Sequence, residues 1–82
     1  MDWTLAKAKD DFGRGLLRQA RIVAAPMTPG VWMVEITSTL ALDGKGWLLD
    51  AKKKQPRQMK TVDAAVEAIV QIGFEVKQLL VE

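Results

Sequence analysis

Val31-Trp32-Met33-Val34-Glu35-Ile36, then Asp43-Gly44-Lys45-Gly46, then Trp47-Leu48-Leu49-Asp50 reads as a β-hairpin, and the rest of the 82-residue chain is arranged around it. In the first strand Val31, Met33 and Glu35 point one way while Trp32, Val34 and Ile36 point the other, and the Trp32 side is the expected core face. Thr37, Ser38 and Thr39 prolong that strand or fray it. Asp43-Gly44 supplies the positive φ values that a tight reversal needs. Beyond it Trp47, Leu49 and Ala51 alternate with Leu48, Asp50 and Lys52. Lys52-Lys53-Lys54-Gln55-Pro56 then breaks the alternation, since proline cannot donate to a central ladder. This segment is a loop, an edge, or a turn into a short strand, Arg57-Gln58-Met59-Lys60.

On the N-terminal side, Asp2 is placed to cap a first helix, whose apolar positions Leu5, Ala8, Phe12 and Leu16 recur at helical spacing. Gly13 and Gly15 are poor in a helix interior, so the helix ends near Gly13 or continues weakly to about Arg18. Leu16 to Ala25 turns β-like around Ile22 and Val23, and Pro26-Met27-Thr28-Pro29-Gly30 is a turn. On the C-terminal side, Thr61 caps a helix with Asp63 near its positive end and an apolar stripe of Val62, Ala65, Val66, Ile69 and Ile72. Gly73 permits a left-handed cap, with Phe74 folding back onto the last turn. Residues 74–81 suit either a final strand, with Phe74, Val76 and Leu80 on one face, or more helix, and the glycine stop tips the reading towards a strand. No repeat or linker divides the chain, so residues 1–82 form one small domain.

Composition narrows the function. With no His, Cys or Tyr, the chain lacks the commonest general base, the best nucleophile, the usual transition-metal ligands and any disulfide. Asp10 and Asp11 are adjacent, so on a helix they diverge by about 100 degrees and make no catalytic pair. Gly13-Arg14-Gly15 and Gly44-Lys45-Gly46 lack the Gly-Lys-Ser/Thr ending of a phosphate-binding loop. The expectation is therefore not an enzyme, with no cofactor and no metal. No apolar run reaches the roughly 18 residues of a membrane span, the start Met1-Asp2-Trp3-Thr4-Leu5 lacks the pattern of a secretory signal, and cytoplasmic localisation is the default. So short a chain without a disulfide or zinc site often completes its core across a dimer interface, so a homodimer or other homo-oligomer is expected.

Charge is clustered. The chain carries a net +2, yet Lys45 to Lys60 holds six of its twelve basic residues and one acid, Asp50, so this stretch is +5 and the remainder −3. Lys52, Lys53, Lys54, Arg57 and Lys60 are candidate phosphate contacts, with little sequence preference. Trp47, and less so Trp32, is a candidate for stacking on an unpaired base. The bland alternative makes the lysines a solvated loop guarding an edge strand and the tryptophans core. A membrane-surface role for the same lysines lacks an adjacent amphipathic apolar face.

One resemblance adds to this. Trp47-Leu48-Leu49-Asp50-Ala51-Lys52, then Pro56-Arg57-Gln58-Met59-Lys60-Thr61-Val62-Asp63-Ala64-Ala65, then Ile72-Gly73-Phe74 resembles small plasmid-encoded accessory proteins of the partition-associated type. Their pattern is a strand and a basic residue, Phe-Lys-Ser-Leu-Asp before a helix, and Leu-Gly-Ile/Phe after it. Met59 stands where that pattern has Phe, and Thr61-Val62 where it has Ser-Leu. The match covers the second half of the chain, implies a bacterial plasmid or mobile-element setting, and supplies no binding residues. The element order is also similar to the single-stranded-DNA-binding fold of certain transcription coactivators, by architecture alone.

The sequence thus reads as α+β: an N-terminal helix, an antiparallel sheet of three to four strands, and a helix packed on one sheet face. Its expected function is a non-catalytic nucleic-acid-binding accessory protein of plasmid maintenance, contacting single- or double-stranded DNA. The alternative is a protein-interaction or oligomerisation module with no nucleic-acid contact.

Overall fold

The computed structural model describes residues 2–39 and 44–75 and the backbone of residues 80 and 81. Helix α1 (Leu5–Gly13) leads into β1 (Leu17–Ala24), β2 (Trp32–Ser38) and β3 (Lys45–Trp47), and then come α2 (Val62–Ile72) and a two-residue β4 (Leu80–Val81). The sheet order is β3-β2-β1-β4. The first three strands form an antiparallel meander, while β4 adds parallel to β1, Arg21 opposite Leu80. The fold is α+β, as the sequence implied. The expected reversal at Asp43 falls outside the described residues, as do positions 76–79.

Alternation sets the faces. Ile22, Val34 and Ile36 are fully buried and join Trp3, Leu48, Ala65, Ile69, Ile72 and Phe74 in one core, with Trp32 packed against it. Helix α2 lies against β1 and β2, and α1 against β1 and α2, so both cover this one face. Leu17 and Ala20 are both buried although three apart, which strict alternation forbids. The register shift between Leu17 and Gln19 reconciles them: Leu17 pairs with Ser38 but Gln19 with Thr37, so a bulge at Arg18 returns Leu17 to the core side.

Helix α2 follows its sequence signals. Thr61 Oγ1 accepts the Ala64 N–H at 3.0 Å, Asp63 sits in the first turn, and Gly73, at φ 133°, ends the helix. Such a cap contributes about 1 kcal/mol. Phe74 behind it is buried and meets Phe12 of α1 edge-on, ring centroids 4.7 Å apart.

Helix α1 ends at Gly13, as its glycines implied, but its start departs from its signals. Thr4, not Asp2, is the N-cap, its hydroxyl accepting the Lys7 N–H. Asp2 instead accepts the Trp47 N–H at 2.9 Å. Trp3 is the reason, because it is extended against the outer edge of the β3 segment: its N–H donates to the Trp47 carbonyl and its own carbonyl accepts the Leu49 N–H. The chain can turn helical only after that pairing ends. Leu16 likewise falls outside the helix, which stops where Gly15 takes a φ of +75° and Leu16 N–H closes onto the Asp11 carbonyl.

The Trp3 indole N–H donates to Asp11 Oδ2 at 2.9 Å, and Lys7 pairs with Oδ1 at 3.4 Å. The indole bond foremost, with Lys7 helping against the opposing effect of burial, holds the Asp11 carboxyl below its ordinary value of 3.8. A native pKa below the unfolded one means that this stabilisation is complete above the unfolded value and is lost as pH falls through the native one. Urea midpoints measured from about pH 6 down to about pH 2 are therefore expected to fall more steeply for the natural chain than for Asp11→Asn. Parallel curves would refute the assignment.

Candidate nucleic-acid interface

The basic segment is a built turn. Leu49 bridges Pro56, Asp50 N–H donates to the Gln55 carbonyl, and Lys54 N–H donates to the Asp50 carbonyl at 2.8 Å. Asp50 Oδ1 accepts both the Lys52 and the Lys53 N–H, at 2.9 and 3.1 Å. Those bonds, Lys53 first, with the nearby Lys53 and Arg57 charges, hold its carboxyl below the usual range. Lys54 sits at φ +53°, in the left-handed region that L-residues occupy at a cost of about 1–2 kcal/mol. Glycine would fit there more easily.

The turn returns as an extended segment whose Met59 exchanges two backbone hydrogen bonds with Trp32. Met59 is buried in the core on the helix side. Its neighbours Gln58 and Lys60 consequently point to the opposite, outer side of the sheet, and Arg57 shares the Met59 side. The clefts agree. One, of about 220 Å³, is lined by Val31, Asp50, Lys53, Gln55, Gln58 and Lys60. Arg57 and Met59 line a separate groove of about 160 Å³ with Ala64, Glu67 and Gln71 of α2.

Of the residues singled out from the sequence, the fold brings Lys53 and Lys60 into one cleft. It leaves Lys52 and Lys54 exposed on the same turn and turns half-buried Arg57 towards α2. Trp47 pairs across from Glu35, on the same outer side as Lys45 and the cleft, and is half-buried. Trp32 belongs with the core. Elsewhere three cations are engaged, Lys7 with Asp11, Arg14 with Asp10, and Arg21 with Glu35 at 3.1 Å, while Lys9, Arg18 and Lys45 make no ion pair among the described residues. Among the described residues, no ion pair engages Lys52, Lys53, Lys54, Arg57 or Lys60.

Sequence reasoning passed over Asp50, Gln55 and Gln58 as site residues. The period-two pattern Pro56, Gln58, Lys60 against Arg57, Met59 was the signal that could have found the cleft. Among the described residues, no group of three or more acidic side chains is placed to hold a metal, and no helix is long and apolar enough to cross a membrane. Comparison with family models, curated proteins and solved structures yields no match.

Proposed function

We propose that this chain is a non-catalytic nucleic-acid-binding accessory protein acting in the cytoplasm, in the plasmid-maintenance setting that the resemblance of its second half implies. One observation carries the reading. Residues 50–60 project five cations against one acid from a hydrogen-bonded turn, without an ion pair to any of those cations among the described residues. A closed turn holding Lys54 in a conformation that costs free energy supports a positioned cluster over a solvated loop. Trp47 and Lys45 on the same side of the sheet extend the surface with an aromatic face and a further charge.

Fluorescence anisotropy with labelled single- and double-stranded DNA at about 50 and about 200 mM salt tests this. Saturable binding that weakens with salt is expected. Lys52→Ala/Lys53→Ala/Lys54→Ala is expected to lower the salt slope by about 2 to 3, at roughly 0.7–0.9 for each phosphate that is no longer neutralised. Because Trp3 is buried, quenching of tryptophan emission on binding would report the two half-buried tryptophans, Trp47 on the outer side and Trp32 against the core, and Trp47→Phe tells them apart. No binding at low salt and high protein concentration would remove the proposal.

A further inference from the structure

We infer that the cleft between Val31 and the basic turn takes one unpaired nucleobase, guanine above the others, so that the protein prefers single strands in which a guanine is exposed. This rests on the nucleic-acid reading above and names what that surface recognises.

The cleft, at about 220 Å³, is smaller than the roughly 300 Å³ at which pockets begin to enclose a drug-sized ligand, and so has room for a single flat heterocycle or a phosphate. Its lining decides between them. Asp50 stands in it beside Lys53 and Lys60, and a fixed carboxylate repels a phosphate held in the same space. Asp50 stays ionised, because two backbone N–H groups bind its Oδ1 and hold its pKa down. An ionised carboxylate only accepts hydrogen bonds. With Oδ1 committed to the turn, Oδ2 takes part in no hydrogen bond among the described residues and remains to accept one from a ligand.

Gln55 and Gln58 add amide groups that both donate and accept. A carboxylate flanked by amides matches a base edge rich in donors. The Watson–Crick edge of guanine offers its ring N–H and exocyclic amine side by side with a carbonyl acceptor, whereas thymine offers one donor between two acceptors. That edge is occupied in a duplex, so entry requires an unpaired base. The ammonium groups of Lys53 and Lys60 then serve the phosphates on either side of the bound nucleotide.

The test is anisotropy at about 50 mM salt with a labelled thymine oligonucleotide of about 12 residues, and with the same strand carrying one central guanine. The guanine strand is expected to bind roughly 5-fold or more tightly, and annealing its complement is expected to abolish that preference. Asp50→Asn keeps an oxygen for the Lys52 and Lys53 N–H groups, so the turn is retained. It should erase the guanine preference while tightening binding to the all-thymine strand, since one negative charge leaves a cationic surface. Equal binding of the two strands overturns the inference and leaves the nucleic-acid reading standing. A guanine preference that survives Asp50→Asn overturns the assignment of the cleft. Absence of binding to either strand overturns both.

Discussion

Trp3→Ala is expected to destabilise the fold by about 3–5 kcal/mol, the range for emptying a buried aromatic site. Trp3 is 2% exposed and among the largest wholly enclosed side chains, within the core that joins both helices to the sheet. Its loss removes apolar packing, opens a cavity, and leaves Asp11 without the indole donor. The backbone pairing of Trp3 to Trp47 and Leu49 is held in place by that side chain, so the edge of β3 should loosen as well. A small domain has about 5–15 kcal/mol of stability in all, so the variant should sit near the folding threshold, with its melting temperature lowered by more than about 12 °C. Trp3→Phe separates the contributions: most of the packing survives and the hydrogen bond does not, so it should lose clearly less. Urea unfolding followed by circular dichroism reads both. A loss under about 1 kcal/mol for Trp3→Ala would mean that the N-terminal segment does not anchor the core.

Gly73→Ala comes second, at about 3 kcal/mol, from two separate costs. A Cβ at this position would lie 2.6 and 2.7 Å from Cδ1 and Cε1 of Phe12, and the backbone φ of +133° is one that L-residues rarely adopt. Withdrawing the Phe12 ring would break its edge-on contact with Phe74, at a centroid distance of 4.7 Å. The glycine thus both ends α2 and admits the ring of α1, making it a point of close approach between the helices. A double-mutant cycle with Phe12→Ala distinguishes the costs. Removing the ring should recover the steric part, a coupling of about 1–2 kcal/mol, and leave the conformational part. Additive effects would show that strain in φ alone makes this position a glycine.

These two sites show where sequence reasoning reached and where it stopped. Gly73 was legible as a helix stop, and its role against Phe12 was not, because that approach joins residues sixty-one positions apart. Trp3 gave no periodic signal, since one residue before a helix has no pattern to belong to. Of the basic residues, the cluster itself was visible in composition. Its division, with Lys53 and Lys60 on one side and Arg57 on the other, needed the pairing of Met59 with Trp32.

The sequence by itself determined the α+β class, the meander around Trp32, the Trp32 side of β2 as the core face, and α2 from its Thr61 cap to Gly73. Each rests on local physics: alternation along a strand, an apolar stripe at helical spacing, a side-chain oxygen within reach of the next turn, or a residue free to take positive φ. Only the tertiary structure decided that Thr4 caps α1 while Asp2 serves Trp47, that a bulge at Arg18 returns Leu17 to the core, and that β4 joins β1 in parallel. It alone gathered Asp50, Lys53, Gln58 and Lys60 around one cleft. Those outcomes turn on which strand meets which and in what register, and a shift of one residue sends every side chain to the other face.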